Sequence, residues 1–294
     1  MAIPTTSFPT MTARTTTVIL DGLAFPEGPR WHEGRLWFSD QHDKRVVAMS
    51  VDGAAETIVE VPQQASGLGW LPDGRMLVVS MLDRKVMRLE SDGSLVVHAD
   101  LSALAPGSCN DMVVDSAGRS YVGNFGFDMY AGEKPRETCV IAVEPDGRAR
   151  IAAEDMAFPN GSIITPDGST LLVGESMASR ISAFDIAADG TLSNRRVWAR
   201  LEGATVDGMC LDTEGAVWSA CPFTGRVLRV LEGGEVVDEV KGTHPGAFAC
   251  MLGGDDRCTL YVCTAPTHVP ADARVAHGGR IEAVSVDVPG AGRP

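Results

Sequence analysis

A turn-and-strand unit repeated six times is the feature that most narrows what this chain can fold into. Five copies are clear: Glu33-Gly34-Arg35-Leu36-Trp37-Phe38, Asp73-Gly74-Arg75-Met76-Leu77-Val78, Ala117-Gly118-Arg119-Ser120-Tyr121-Val122, Asp167-Gly168-Ser169-Thr170-Leu171-Leu172 and Glu214-Gly215-Ala216-Val217-Trp218-Ser219. A weaker sixth spans 255–261, and the five glycines lie 40, 44, 50 and 47 residues apart. A second apolar strand follows each copy, at 45–49, 85–89, 139–143, 180–184, 226–230 and 280–284. Four of these lead into Asp-Gly turns, at 52–53, 92–93, 146–147 and 189–190. Alternating apolar residues bounded by such turns mark antiparallel hairpins. Strands recurring at this period, without an amphipathic helix between them, predict an all-β fold, a six-bladed β-propeller. A sandwich repeats its turn signals every 8–12 residues or so but lacks the longer period. A solenoid would leave open ends that need caps. The early strand at 15–20 precedes the first full copy. It is expected to supply the outer strand of the last blade, closing the ring and removing exposed edges. On this reading residues 1–15 are a flexible N-terminal tail, 16–288 a single propeller domain and 289–294 a C-terminal tail.

The starts of the blades carry the chemical signal. Seven or eight residues before each turn glycine an apolar strand begins, with Glu27-Gly28-Pro29, Ser66-Gly67-Leu68, Asn110-Asp111-Met112, Asn160-Gly161-Ser162, Asp207-Gly208-Met209 and Pro245-Gly246-Ala247 at the six entrances. First strands of propeller blades line the central channel, so their starts meet at one mouth. Glu27, Asn110, Asn160 and Asp207 should therefore converge, and the neighbouring glycines remove side chains where strands crowd the axis. Each dipeptide has a plainer explanation, since Asn-Gly and Asp-Gly are ordinary turn pairs. Shared register in four repeats is what favours a site, because Ser66 and Pro245 show that the fold accepts other residues there. Two carboxylates and two amides make a hard, oxygen-rich set suited to Ca²⁺, Mg²⁺ or Mn²⁺. No Cys or His stands at these four positions, which disfavours the usual tetrahedral zinc site. Three or four protein ligands leave coordination positions open for water and substrate, as catalysis requires.

The ordered set Phe25-Pro26-Glu27-Gly28-Pro29-Arg30-Trp31, Asn110-Asp111, Phe158-Pro159-Asn160-Gly161 and Val206-Asp207-Gly208-Met209-Cys210-Leu211-Asp212 resembles the senescence-marker-protein/gluconolactonase/luciferin-regenerating-enzyme family, which includes regucalcin. The likeness runs from about residue 18 to 286. It implies one divalent metal held by Glu27, Asn160 and Asp207, with Asn110 a further ligand or a substrate contact. Ca²⁺ is the first choice; Zn²⁺, Mn²⁺, Mg²⁺ and Fe²⁺ are alternatives. The implied reaction is lactone hydrolysis. In sugar-lactone members an Arg two residues before the Asn helps hold substrate hydroxyls; here Ser108 takes that place. The segment 124–137 is another departure, too long for a tight hairpin and rich in aromatic residues. It is either a binding loop or a surface loop packing its own rings.

These readings predict a metal-dependent lactonase or esterase. Asp207 is the preferred general base, Glu27 the alternative, and Asn110, Ser108, Asn124, Phe125 and His244 are candidate substrate contacts. His32 and His98 read as surface residues. Two rival classes stay open: a non-catalytic propeller that binds calcium or a partner, and a metal-free enzyme like strictosidine synthase. A serine hydrolase is disfavoured because no Gly-x-Ser-x-Gly elbow is present.

Composition limits the partners. With 25 Lys+Arg against 39 Asp+Glu, the net charge of −14 repels phosphate backbones, so nucleic acid is excluded as a partner. No run of 18 apolar residues predicts a membrane span, and the N-terminus has no basic-then-apolar leader. Seven cysteines without a CxxC pair, several inside apolar runs, read as buried reduced thiols and point to the cytoplasm. The expected partner is a small lactone or ester, and the expected assembly a monomer or weak homo-oligomer.

Overall fold

The computed structural model of the protein describes residues 14–292. Six four-stranded antiparallel units surround one channel, giving a six-bladed β-propeller. Blade 1 contains Pro26–His32, Arg35–Asp40, Arg45–Met49 and Ala55–Glu60. Blade 2 contains Ala65–Trp70, Met76–Ser80, Lys85–Leu89 and Leu95–Asp100. Blade 3 contains Cys109–Val114, Ser120–Asn124, Thr138–Val143 and Ala149–Met156. Blade 4 contains Pro159–Ile164, Thr170–Glu175, Arg180–Ile186 and Leu192–Arg200. Blade 5 contains Met209–Leu211, Val217–Cys221, Arg226–Val230 and Val236–Lys241. Blade 6 contains Gly246–Gly253, Thr259–Ala265 and Gly279–Ser285, completed by Thr17–Leu23 from the start of the chain.

The two repeated sequence units are the second and third strands of the blades. The ring closes as the sequence predicts, through antiparallel pairing of Thr17–Leu23 with Gly279–Ser285. Both predicted tails have described parts. Residues 1–13 lie outside the described residues, whereas Arg14–Thr15 pairs in parallel with the edge of blade 5, Arg14 opposite Val240. At the other end, Gly290 donates to Arg257 O (3.0 Å) and Ala291 to Leu211 O (2.9 Å), so this stretch is tied to blades 5 and 6.

Burial follows position in the blade. Second strands such as Met76–Ser80 and Ser120–Asn124 are buried throughout because neighbouring blades cover both faces. Outer strands such as Ala55–Glu60 are largely exposed. The core therefore lies between blades. One cluster joins Leu36 and Phe38 of blade 1 to Trp218 of blade 5 and Val262 of blade 6; another joins Leu77 of blade 2 to Met112 and Ile141 of blade 3. Such fully buried side chains each contribute about 1.5–3 kcal/mol. All seven cysteines are unpaired and six are buried. His98, expected at the surface, is buried on the outer strand of blade 2, where the Gly147 turn packs against its carbonyl. No helix among the described residues is long and apolar enough to cross a membrane.

Candidate functional site

Local strand geometry aims the entrance residues. In blades 1, 3 and 4 the pairing of first and second strands shifts register just there, between Glu27 and Arg30, Cys109 and Met112, and Pro159 and Ser162. A bulge of this kind turns a side chain away from the regular pleat. In blade 5 the Asp207 N–H bonds to Ala220 O (3.1 Å), and the Gly208 N–H crosses to Phe248 O in blade 6 (2.9 Å). The entrance glycines sit against the next blade. A Cβ on Gly161 would lie 2.4 Å from Asp207 O, and one on Gly67 would lie 2.3 Å from Met112 N. Gly161→Ala is therefore expected to cost about 1–3 kcal/mol as an overpacking change. It should also weaken any stabilisation of the protein by added cation, because backbone beside Asp207 must move. Melting curves with and without cation test this; an unchanged response to cation would show that Asp207 is not held through Gly161.

A repeated acidic anchor fixes the chain before two entrances. Asp40, at the end of blade 1's second strand, accepts the N–H groups of Ala24 and Phe25 (3.0 and 2.9 Å) and pairs with Arg45. Glu175 does the same in blade 4, accepting from Ala157 (2.9 Å) and pairing with Arg180 and Arg195. These bonds place Phe25 and Phe158 two residues before Glu27 and Asn160.

Glu27, Asn110, Asn160 and Asp207 line one cavity of about 100 Å³. Its walls are largely apolar, with Phe25, Phe125, Phe158 and Phe248 among them. A larger recess of about 520 Å³, formed by the far ends of the first strands of blades 1–3, holds none of the four. Burial pushes the Glu27 carboxyl up to about 8, although it keeps some surface toward the cavity; the Gly28 N–H opposes this and the Asp111 charge adds to it. Asp207 is raised well above the usual carboxylate range, by burial first and then by the charges of Glu27 and Asp111. Asp111 itself is paired with the buried Arg30 guanidinium (2.6 Å). The uncompensated charge at the mouth therefore belongs to Glu27 and Asp207.

The residues fit a divalent cation. Asp207 Oδ1 is buried without a hydrogen-bond partner, an arrangement that costs about 1–3 kcal/mol or more for a charged group. Asn160 donates its amide to Ser176 Oγ (3.1 Å), and Ser66 Oγ donates to Asn110 Oδ1 (3.3 Å). Among the described residues no cluster of three or more His, Cys, Asp or Glu is placed to hold a metal. A cation here would take two carboxylates and complete its shell from amide oxygens and water, which matches a hard ion of charge +2.

Three candidate contacts do not line the cavity. Ser108 is half-buried, and its carbonyl accepts the Phe125 N–H (2.9 Å). Asn124 is fully buried and spends its amide on Cys139 O (2.8 Å), Gly126 N–H (3.0 Å) and Thr138 Oγ1 (2.5 Å), which anchors the 124–137 loop. His244 lies outside the cavity; burial and Arg280 lower its pKa, and its Nε2 is buried without a partner. Phe125 does line the cavity, stacked on Phe158 at 4.4 Å. Within the loop Phe127 packs inward, while Met129 and Tyr130 line the cavity and Tyr130 OH donates to His268 O (3.2 Å).

Gln41, Ser176, Met177, Thr205, Phe223 and His268 also line the site, unanticipated from sequence. Two signals could have found three of these, along with four further lining residues. Phe25, Phe158 and Thr205 each stand two residues before an entrance residue. Gln41, Phe125, Ser176 and Pro222 each directly follow a second strand.

The fold and the site define a six-bladed propeller with a largely apolar cavity at one channel mouth, lined also by the Glu27 and Asp207 carboxylates and the Asn110 and Asn160 amides. The chain belongs to the SMP-30/Gluconolactonase/LRE-like family, whose model matches residues 25–266. It is 29% identical over 236 residues to regucalcin of Danio rerio, covering 78% of this chain and 75% of that one. It is 27% identical over 252 residues to 6-deoxy-6-sulfogluconolactonase of Pseudomonas putida, covering 83% and 84%. Among solved structures, a calcium-binding protein, regucalcin, from Agrobacterium tumefaciens superposes with a TM-score of 0.81 at 21% identity, covering 97% of this chain and 98% of that one.

Proposed function

We propose that this protein is a metal-dependent hydrolase that opens a small lactone or cleaves a related ester. The observation that carries this reading is the pair of buried carboxylates, Glu27 and Asp207, with Asp207 Oδ1 lacking a hydrogen-bond partner, in a largely apolar cavity. The names of two relatives agree with it, one a sulfogluconolactonase and the other a calcium-binding protein. Glu27, Asn160 and Asp207 are the proposed ligands, with Asn110 either a fourth or a contact to substrate. Ca²⁺ is the first choice on the oxygen-rich donor set. A bound cation supplies Lewis-acid polarisation of the carbonyl and eases deprotonation of water.

The chain's own groups do the rest. Asp207 takes a proton from the attacking water, whose oxygen joins the carbonyl carbon. The ring C–O bond then breaks and the departing oxygen takes up the proton that Asp207 holds. Glu27 is the alternative base. The Tyr130 hydroxyl donates to His268 O and holds the 124–137 loop over the cavity.

The deciding test is a screen of lactones and esters on chelator-treated protein, with and without Ca²⁺, Mn²⁺, Mg²⁺, Zn²⁺ and Fe²⁺. Cation-dependent hydrolysis is expected. Turnover that survives removal of metal would favour the metal-free class, and no turnover under any condition the calcium-binding class.

The polyol gluconolactone is expected to be a poorer substrate than simple alkyl or aryl lactones. Ser108 replaces an Arg with five donors and stands outside the cavity. Asn124, a possible substitute donor, is fully engaged, and His42 reaches His268 O (3.1 Å). Each unpaired buried hydroxyl costs roughly 1–3 kcal/mol, about 5- to 150-fold in kcat/KM. A clear preference for gluconolactone would overturn this expectation. The sulfonated lactone named for the P. putida relative should fare worse still, since no Lys or Arg lines the cavity.

A further inference from the structure

The loops joining second to third strands all open on the face that carries the site. Blades 2–5 each place one exposed, non-β-branched apolar side chain there: Leu82, Tyr130, Met177 and Phe223. Every other exposed large hydrophobic among the described residues is Val or Ile. Five of these lie on outer strands or at the Val51 turn, and Val269 and Val275 lie in the same loop position of blade 6. Exposed β-branched residues on strands reflect strand preference. Exposed Phe, Tyr, Met and Leu gathered on one face have no such explanation, and contiguous apolar surface marks binding.

This rim is continuous with the cavity. Tyr130, Met177 and Phe223 line it while remaining 47%, 50% and 69% exposed. Sites that enclose a drug-sized ligand measure about 300–1,000 Å³, against about 100 Å³ here. A cavity of this size holds little beyond a small ring and its carbonyl, so the remainder of a larger substrate lies over the exposed surface of the rim. Charge narrows the class further. No Lys or Arg lines the cavity, so it offers no cationic side chain to an anionic substituent.

We infer that the rim of Tyr130, Met177 and Phe223 binds an uncharged alkyl or aryl substituent of a lactone or ester whose carbonyl is presented to Glu27 and Asp207. This rests on the lactonase reading above and adds the substrate class. The experiment measures kcat/KM for γ-lactones bearing unbranched alkyl chains of increasing length, for wild type and for the double variant Met177→Ser, Phe223→Ser. Because the rim is half-exposed, wild-type kcat/KM should rise about twofold per methylene, half the free-energy increment of a fully buried CH₂. The double variant should flatten that slope. A flat wild-type profile, or a slope the double variant leaves intact, overturns the inference while the lactonase reading stands. Affinities of the matching lactams, measured by calorimetry, separate the two failures. If no lactone is hydrolysed, a chain-length dependence of lactam affinity that the double variant removes still supports the rim's role, and its absence overturns it. A concentration-dependent dimer lost in the double variant, with flat chain-length profiles, would assign the rim to a second copy of the chain instead.

Discussion

Asp207→Ala is expected to lower kcat/KM for lactone hydrolysis by at least about 10³-fold, with the protein still folded. Removing a general base alone costs about 10²–10⁴-fold, and the same change deletes a proposed charged ligand. The fold should tolerate it because Asp207 precedes its strand and its Oδ1 bonds to nothing. Without metal, the variant should be at least as stable as wild type at pH 8, since it removes a buried charge that Glu27 and Asp111 already oppose. Stability gained as activity is lost is the mark of a strained functional group. Asp207→Asn separates the two roles. It keeps an oxygen for the cation but no base, so cation-dependent stabilisation should survive in part while turnover falls as far as in the alanine variant. Glu27→Gln is the counterpart. If it abolishes turnover while Asp207→Asn retains much of it, the base is Glu27. Near-normal activity in Asp207→Ala would remove Asp207 from the mechanism altogether.

Removal of divalent cation is expected to abolish turnover and to lower the melting temperature by roughly 5–10 °C relative to protein with cation at about 100 times its Kd. That excess corresponds to about 2.7 kcal/mol, and a chain of this size shifts by about 2–4 °C per kcal/mol. The difference should depend on pH with a definite sign. Glu27 has its carboxyl raised from 4.5 to about 8 by burial. Between those values the folded protein holds a proton that the unfolded chain has released, so metal-free stability falls as pH rises through that window. Asp207, raised in the same direction, adds to the fall. A cation competes with these protons, so its affinity should climb about tenfold per pH unit for each proton displaced. At one fixed cation concentration the melting-temperature gain should therefore be larger at pH 8 than at pH 5. A gain independent of pH across this range would place the cation elsewhere on the protein.

The sequence determined the propeller because its signals are local. Asp-Gly turns and alternating apolar residues specify each hairpin within about a dozen residues, and six copies leave little choice of architecture. Glu27, Asn110, Asn160 and Asp207 were legible for the same reason: equivalent positions in equivalent blades must meet at one mouth, and they do. Closure by the first strand was legible because ring geometry leaves the last blade one strand short. Side-chain direction and loop path were decided only by tertiary structure. Asn124 looks like a polar residue at a loop start, yet its amide turns inward because Cys139 O, Gly126 N–H and Thr138 Oγ1 lie within reach once strands two and three pair. Ser108 and Asn110 are two residues apart, but the shift in pairing between Cys109 and Met112 breaks the alternation that would set them on one side. Met177 and Phe223 share a register, each the second residue after its blade's second strand, but Tyr130 belongs to the much longer 125–137 loop and matches neither. Tyr130 and Phe223 meet at blade 6, where Tyr130 OH donates to His268 O and the Phe223 ring packs edge-on against the His268 ring, and such contacts between distant segments leave no period in the sequence.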